Sequence, residues 1–399
     1  MAICLAGAWL SAGAAPIADA VAGAREPVDF ARDYLAAHAR VHRGQSAAPV
    51  DDDGNTYAAA IGVPRVVLLG APYYAHPPAA QLLVLPLVPL GFHGAARAWL
   101  GLSLIALGAL AVMLVGFVTN GEPRPLPTAA GFALLLLWPP VLHNLAKGQW
   151  SILLAALIAA GWRALERGRP RAAGVWLGLA ASLKVTPILL LGYLVLRNRR
   201  AAFAMAATVI AAGLASLAVS GVGPWRVWLT TAAANVAAWQ TWTANTVSIN
   251  GFVSRLFTAS AFARPLLDAP RLARALGGAL ALALLTAVTL KSVRAPREPA
   301  AERRLFAAWT ILVVLLNPLA WTHTAIVALC ALALLVNQTR PNSWVVASAL
   351  VALTVPRETL AALAGPTPVG PGRGLVLSLH AAALALVLAG CLRRDRQIR

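Results

Sequence analysis

Residues 169–200 read RPRAAGVWLGLAASLKVTPILLLGYLVLRNRR, and the fold turns on how this stretch is understood. Between Arg171 and Arg197 lies an apolar stretch of 25 residues, 172–196, with Lys184 and Pro187 in its middle. Such a length is enough to cross a bilayer once. Both ends are basic, however, and basic loops stay on the cytoplasmic side. The stretch must therefore turn back on itself as two short helices. Irregular backbone at membrane depth is tolerated only where protein or a water-filled cavity surrounds it. Lys184 is thus expected to face the protein interior rather than lipid. An ionisable residue at that depth is a functional candidate, and a cation near the outer surface suits a lipid phosphate. The competing reading is a lysine that snorkels to the interface.

The rest of the chain repeats the pattern. Of 399 residues, 59% are hydrophobic and 12% charged, against about 25% charged in a soluble domain. Apolar runs recur near 95–117, 128–143, 150–165, 201–220, 272–294, 305–319, 324–338, 343–361 and 374–392. The ~10-residue alternating segments of a membrane barrel are missing. The expectation is an all-α polytopic membrane protein: one integral domain over 1–399, a bundle of about 10–12 transmembrane helices, and a re-entrant hairpin near 172–196. The net charge of +19 sits mostly in short turns. Arg163, Arg167, Arg169 and Arg171 form one cluster, Arg197, Arg199 and Arg200 another, and Arg294, Arg297, Arg303 and Arg304 a third. No basic stripe exists outside these turns, so no nucleic-acid partner is expected. Setting the clusters inside puts both termini in the cytoplasm. It exposes 23–94, a first outer loop, and 221–270, a second, together with 144–149, 320–323 and 362–373. Cys4, Cys330 and Cys391 show no pairing or zinc spacing.

Residues 1–22 are expected to form a first, short span. The segment Ala79–Leu90, twice interrupted by proline, reads as interfacial or re-entrant. Seven of the fourteen acids lie in residues 19–53. Asp29 and Asp33, four apart, share a face if helical, and they follow the first span at the outer membrane surface. A carboxylate there can take a proton from an acceptor hydroxyl, or it is a solvated loop charge. Asp51, Asp52 and Asp53 read as a solvated acidic turn. Trp225, Trp228, Trp239 and Trp242 in the second outer loop either anchor at the interface or pack on lipid-linked sugars. His323 and Gln149 each occupy an outer turn, so several polar tips converge on one face. No phosphate loop, dinucleotide fingerprint or nucleophile elbow is present. Beyond residue 19 no acid lies mid-span, which counts against an ion-coupled transporter.

These pieces, in order, resemble glycosyltransferase family 87 of the GT-C superfamily, which contains bacterial polyprenol-phosphate-mannose-dependent α-1,2-mannosyltransferases. Asp29-Phe30-x-x-x-Tyr34-x-Ala36-Ala37 is similar to the family's Asp-Phe-x-x-Tyr-Tyr-x-Ala-Ala block. His76-Pro77-Pro78 stands where the family has Tyr-Pro-Pro. Pro139-Pro140-Val141-Leu142 followed by Gly148-Gln149, and Ser248-x-Asn250-Gly251, resemble two further elements. The most specific match is Gly174-x-x-x-Gly178-Leu179-Ala180-Ala181-x-x-Lys184-x-Thr186-Pro187, and Asn317-Pro318-x-x-Trp321-x-His323 resembles the last. The resemblance implies a GT-C-type bundle that transfers a sugar, mannose first among candidates, from a polyprenyl-phosphate donor to a lipid or glycan acceptor. The reaction would occur at the outer face of the cytoplasmic membrane, with no cofactor and no metal. It makes Asp29 the candidate base, with Asp33 beside it. Lys184, His323 and Gln149 become candidate donor-phosphate contacts, and Tyr34, Asn250 and Trp321 candidate substrate contacts. Two residues depart from the pattern: Thr324 stands where the family has a second histidine, and Asp33 where it has the first tyrosine. The rival readings are a transporter or lipid flippase without glycosyl transfer, and a non-catalytic assembly partner that kept the fold.

Overall fold

The computed structural model describes residues 22–25, 27–44, 52–63, 76–119, 121, 124–238, 246–260, 263–336, 338, 342–365 and 369–393. Residues 1–21 of the expected first span, Asp51, Trp239 and Trp242 lie outside them. Among the described residues helices dominate, and the only strand-like pairing is an isolated bridge between Ala263 and Val369.

The first described elements are α1 (Val28–Arg43) and α2 (Asp52–Ala60). Asp52 and Asp53 open a helix rather than a turn. That helix docks on α1, where the Tyr57 hydroxyl lies 2.6 Å from His38 Nδ1 and the Arg43 guanidinium covers the Tyr57 ring at 3.8 Å. The segment expected to lie at the interface instead joins the next span. Pro78–Thr119 is one helical run of 42 residues. Its proline-bearing start winds as 3₁₀ turns, which suit short, poorly bonded segments, and Gly91, at φ 66°, makes the joint to α3 (Gly91–Thr119). The run expected at 128–143 is broken into α4 (Pro125–Leu136) and α5 (Pro139–Lys147), bent by 66°. Pro139 and Pro140 explain the break, since neither donates and the residue before a proline avoids helical geometry.

Next come α6 (Ser151–Glu166), α7 (Pro170–Leu183), α8 (Leu190–Arg197) and α9 (Arg199–Ser220). The helix α7 ends at Lys184, and a 3₁₀ turn, Thr186–Leu189, leads into α8. Both outer ends of this pair return to one end of the bundle, as the paired basic clusters require. There Arg197 is held by Glu302, through Nε at 2.9 Å, and by the carbonyls of Ser292 and Ala295, and Arg303 pairs with Glu166 at 2.8 Å. The spacing Gly174-x-x-x-Gly178 lets α7 lie directly on α9. A side chain at Gly174 would overlap the Ala201 carbonyl oxygen, and one at Gly178 would meet Thr208 Cβ at 2.6 Å. Small residues at such a spacing bring membrane helices into backbone contact.

The remainder comprises α10 (Val222–Ala238), α11 (Ile249–Phe257), α12 (Pro270–Arg294), α13 (Pro299–Leu315), α14 (Ala325–Leu335), α15 (Asn342–Thr354), α16 (Arg357–Ala364) and α17 (Leu379–Leu392). Every residue of α14 is buried. A helix apolar on all sides belongs inside a bundle, and α14 lies in the core with α13 and α6. Conversely, α9 presents Phe203, Ile210 and Leu214 outward, as a lipid-facing helix should. Four helical runs are long and apolar enough to cross a membrane, five if the bent α4–α5 pair counts as one span. Other apolar segments form shorter helices, the buried α14 among them. The chain is an all-α polytopic membrane protein.

Candidate functional site

The site begins with a turn. Gly148 has φ 67°, a conformation glycine adopts without strain, and it reverses the chain between α5 and α6. Asn144 locks the turn: its amide donates to the Gln149 carbonyl at 2.9 Å, and its side-chain oxygen accepts from the Ser151 N–H at 3.0 Å. Trp99 on α3 donates from Nε1 to the Gly148 carbonyl at 3.0 Å and stacks on Phe30, with centroids 5.2 Å apart. The Gly148 backbone therefore rests directly on the first turn of α1.

That contact carries two side chains to two carboxylates. Gln149 Nε2 donates to Asp29 Oδ2 at 2.7 Å, and Trp150 Nε1 donates to Asp33 Oδ2 at 2.9 Å. The second Asp33 oxygen accepts from His76 Nδ1 at 3.1 Å, and the His76 ring lies 5.0 Å from the Trp150 ring. Both oxygens of Asp33 are thus occupied. Asp29 is bound firmly through one oxygen. Its other oxygen pairs loosely with the Arg32 guanidinium at 3.9 Å, and the side chain is 29% exposed. Asp29 stands in the first turn of α1, where unpaired backbone N–H groups favour a negative charge.

The break after α7 brings Lys184 into the field of both carboxylates, Asp29 and Asp33. Lys184 in turn acts on His323, as do His143 and His76. His323 is 2% exposed, in a 3₁₀ turn at the foot of α14. Its ring is stacked on His143, with centroids 5.5 Å apart and planes within 9°. The two Nδ1 atoms are 3.4 Å apart, within hydrogen-bond distance, with the donor set by which tautomers the rings adopt. Among the described residues His323 Nε2 has no hydrogen-bond partner. A second imidazole thus stands beside His323, contributed by His143 from α5 rather than by position 324.

Of the residues singled out from sequence, Asp29, Asp33, Gln149, Lys184 and His323 come together. Gln149 was expected at a phosphate; the structure joins it to the Asp29 carboxylate instead. Tyr34 was expected at substrate, but its ring is 1% exposed and its hydroxyl donates to the Val88 carbonyl at 3.2 Å. Burial between Phe30 and Phe92 makes it a packing residue. Asn250 faces α12, where a side chain at Gly277 would meet its oxygen at 2.6 Å. Its neighbour Val247 donates to the Ala320 carbonyl at 2.7 Å, tying that segment to the loop bearing half-buried Trp321. Trp225 donates to Ser216 at 2.9 Å and meets Trp228 edge to face. Trp150, His76 and His143 are the additions of the structure. Among the described residues no three His, Cys, Asp or Glu side chains form a metal-holding group.

Comparison with known proteins bears on this arrangement. The profile of glycosyltransferase family 87 matches residues 74–318. That range contains the Gln149–Trp150 turn and Lys184 but begins after Asp29 and ends before His323. The polyprenol-phosphate-mannose-dependent alpha-(1-2)-phosphatidylinositol mannoside mannosyltransferase of Mycobacterium tuberculosis is similar, 29% identical over 168 residues. The alignment spans 39% of this chain and 39% of that relative's length. No solved structure matches. With most of the chain inside the family profile, the transporter alternative gives way, and this multi-pass membrane protein belongs to glycosyltransferase family 87.

Proposed function

We propose that the protein transfers a sugar, with mannose the first candidate, from a polyprenyl-phosphate donor to a hydroxyl of a lipid or glycan acceptor. The relative's dependence on polyprenol-phosphate-mannose supports the donor. The observation that carries the reading is the division of labour between the carboxylates. Asp33 has both oxygens taken by His76 and Trp150, whereas Asp29 is hydrogen-bonded by Gln149 through one oxygen and meets only Arg32, at 3.9 Å, through the other.

In this reading Asp29 accepts the proton of the acceptor hydroxyl as that oxygen attacks the anomeric carbon. The bond from the anomeric carbon to the phosphate oxygen breaks, and the polyprenyl phosphate leaves with the electron pair. Lys184 and the His323–His143 pair stand beside the carboxylates, suited to stabilise charge growing on that phosphate. Asp33, His76 and Trp150 hold the first turns of α1 in register. Trp321 borders the same loop as a substrate contact. The basic turns lie at the end of the bundle away from these residues, which supports a site on the outer face of the cytoplasmic membrane.

The test is a transfer assay with purified protein, labelled polyprenyl-phosphate mannose and a membrane lipid extract. The reading expects a labelled product bearing a new glycosidic bond, released polyprenyl phosphate, and no product from a nucleotide sugar. Product formed from the nucleotide sugar alone would overturn the donor assignment. Translocation of the labelled lipid without a new glycosidic bond would overturn the reaction.

A further inference from the structure

A second binding site lies at the other end of the bundle. The 16-residue helix α6 runs from Ser151, next to Trp150 at the candidate site, to Glu166, a distance of about 24 Å at 1.5 Å per residue. Beside its far end, between α3, α6 and α7, is a cavity of about 300 Å³. Met113 and Gly116 of α3, Ala164 of α6 and Trp176 of α7 give it apolar walls. Arg163, Arg167 and Arg169 also line it, and no carboxylate does.

The absence of acid from the lining sets this slot apart from its neighbour. A larger cavity of about 810 Å³ shares Arg163 and Arg167 but is also lined by Glu166 and Glu302. Those two acids hold Arg303 and Arg197. Glu166 also reaches Arg163, at 3.5 Å, but Arg167 and Arg169 are exposed and pair with no described side chain. Trp176 is 41% exposed on the apolar side, and tryptophan favours the membrane–water boundary.

We infer that this slot holds an anionic glycerophospholipid of the surrounding bilayer, its phosphate against the three guanidiniums and its upper chain against Trp176 and Met113. The combination selects the ligand. A soluble anion leaves the apolar wall unused. A zwitterionic lipid brings its own cation to the arginines. Basic pockets between membrane helices bind anionic headgroups on these grounds, and arginine forks match phosphate oxygens. The slot lies at the far end of α6 from the Asp29 carboxylate. The inference does not depend on the proposed reaction.

The experiment titrates the full-length protein in detergent with phosphatidylglycerol or phosphatidylcholine of identical chains, and counts bound lipid by native mass spectrometry. The variants are R167Q/R169Q, the triple R163Q/R167Q/R169Q, Ala172→Trp, which fills the slot from its apolar side, and R199Q/R200Q as a charge-matched control at the same end. Each basic side chain near a membrane surface is worth about fivefold in binding an anionic lipid. Phosphatidylglycerol should bind about thirtyfold more weakly to the double variant and about a hundredfold more weakly to the triple. A172W should also lose it, and the control should not. Because R167Q/R169Q breaks no ion pair, it keeps the result readable if the triple misfolds. Equal binding of the two lipids would overturn the inference, as would loss in the control equal to that in the double variant. Full displacement by soluble glycerol phosphate would also overturn it, marking a phosphate site rather than a lipid site.

Discussion

Replacing Gly148 with alanine puts one methyl group where the structure has no room for it. The backbone at Gly148 is left-handed, φ 67°, which costs an L-residue roughly 1–2 kcal/mol. The new Cβ would stand 2.6 Å from Phe30 Cβ and 2.9 Å from Pro27 Cβ. Both are rigid, near-backbone atoms, so α1 and the turn must part by about 1 Å, an overpacking cost of about 1–3 kcal/mol. The same parting stretches the 2.7 Å bond between Gln149 and Asp29 beyond hydrogen-bond range. A misplacement of ~1 Å can cost about a hundredfold in rate. Gly168→Ala is the control: its φ is also 67°, but nothing lies within 4 Å of the added Cβ. Thermal unfolding in detergent and the sugar-transfer assay should separate the two. G148A should be less stable than G168A by about 1–3 kcal/mol and lose most of its activity, while G168A stays active. Equal stability and undiminished transfer in G148A would refute the idea that this turn holds the carboxylate in place.

Three other substitutions test the frame around the site. Gly174→Ala drives a methyl into the Ala201 carbonyl, so it should lower thermal stability by about 2–3 kcal/mol. Gly108→Ala on α3, with open space around it, should be neutral or stabilising by up to about 1 kcal/mol. Glu302→Gln leaves the buried Arg197 without its counter-charge and weakens the Tyr193 hydroxyl bond of 2.9 Å. Breaking a buried pair costs about 3–5 kcal/mol. Because the Glu302 side chain is 23% exposed and glutamine keeps one acceptor, the measured loss should be about 1–3 kcal/mol. Transfer by the folded fraction should persist, since Glu302 lies at the end away from Asp29.

Charge and apolarity are local properties, and what they govern was legible in the sequence. The two basic clusters around 172–196, with Lys184 between them, dictated a stretch that leaves and returns at one end, and α7 and α8 do so. Gly174 and Gly178 stood in a recognisable motif, and they form the contact with α9. Proline was harder to read. Pro86 and Pro89 suggested an interfacial segment, yet 3₁₀ turns absorb them into a 42-residue run. Pro139 and Pro140 broke an apparently continuous span. The site was legible only one residue at a time. Asp29 and Asp33 were visible as a pair on one face, but their partners lie 120 and 117 residues away at Gln149 and Trp150. His143 and His323 meet across 180 residues. No period or spacing encodes such pairings, because they arise when α1, α5, α6 and α14 pack. Tyr34 misled for the same reason: it shares a block with Asp29 but turns its ring into the core.

The central claim is that Asp29, and not its neighbour, takes the proton. The most direct measurement is the initial rate of transfer from labelled polyprenyl-phosphate mannose by Asp29→Asn, in protein matched to wild type for yield and thermal stability. Positioned general bases contribute about 10²–10⁴ in rate. The account predicts a fall of that size in D29N and a smaller one in Asp33→Asn, whose carboxylate orients α1. Transfer by D29N at the wild-type rate would contradict it.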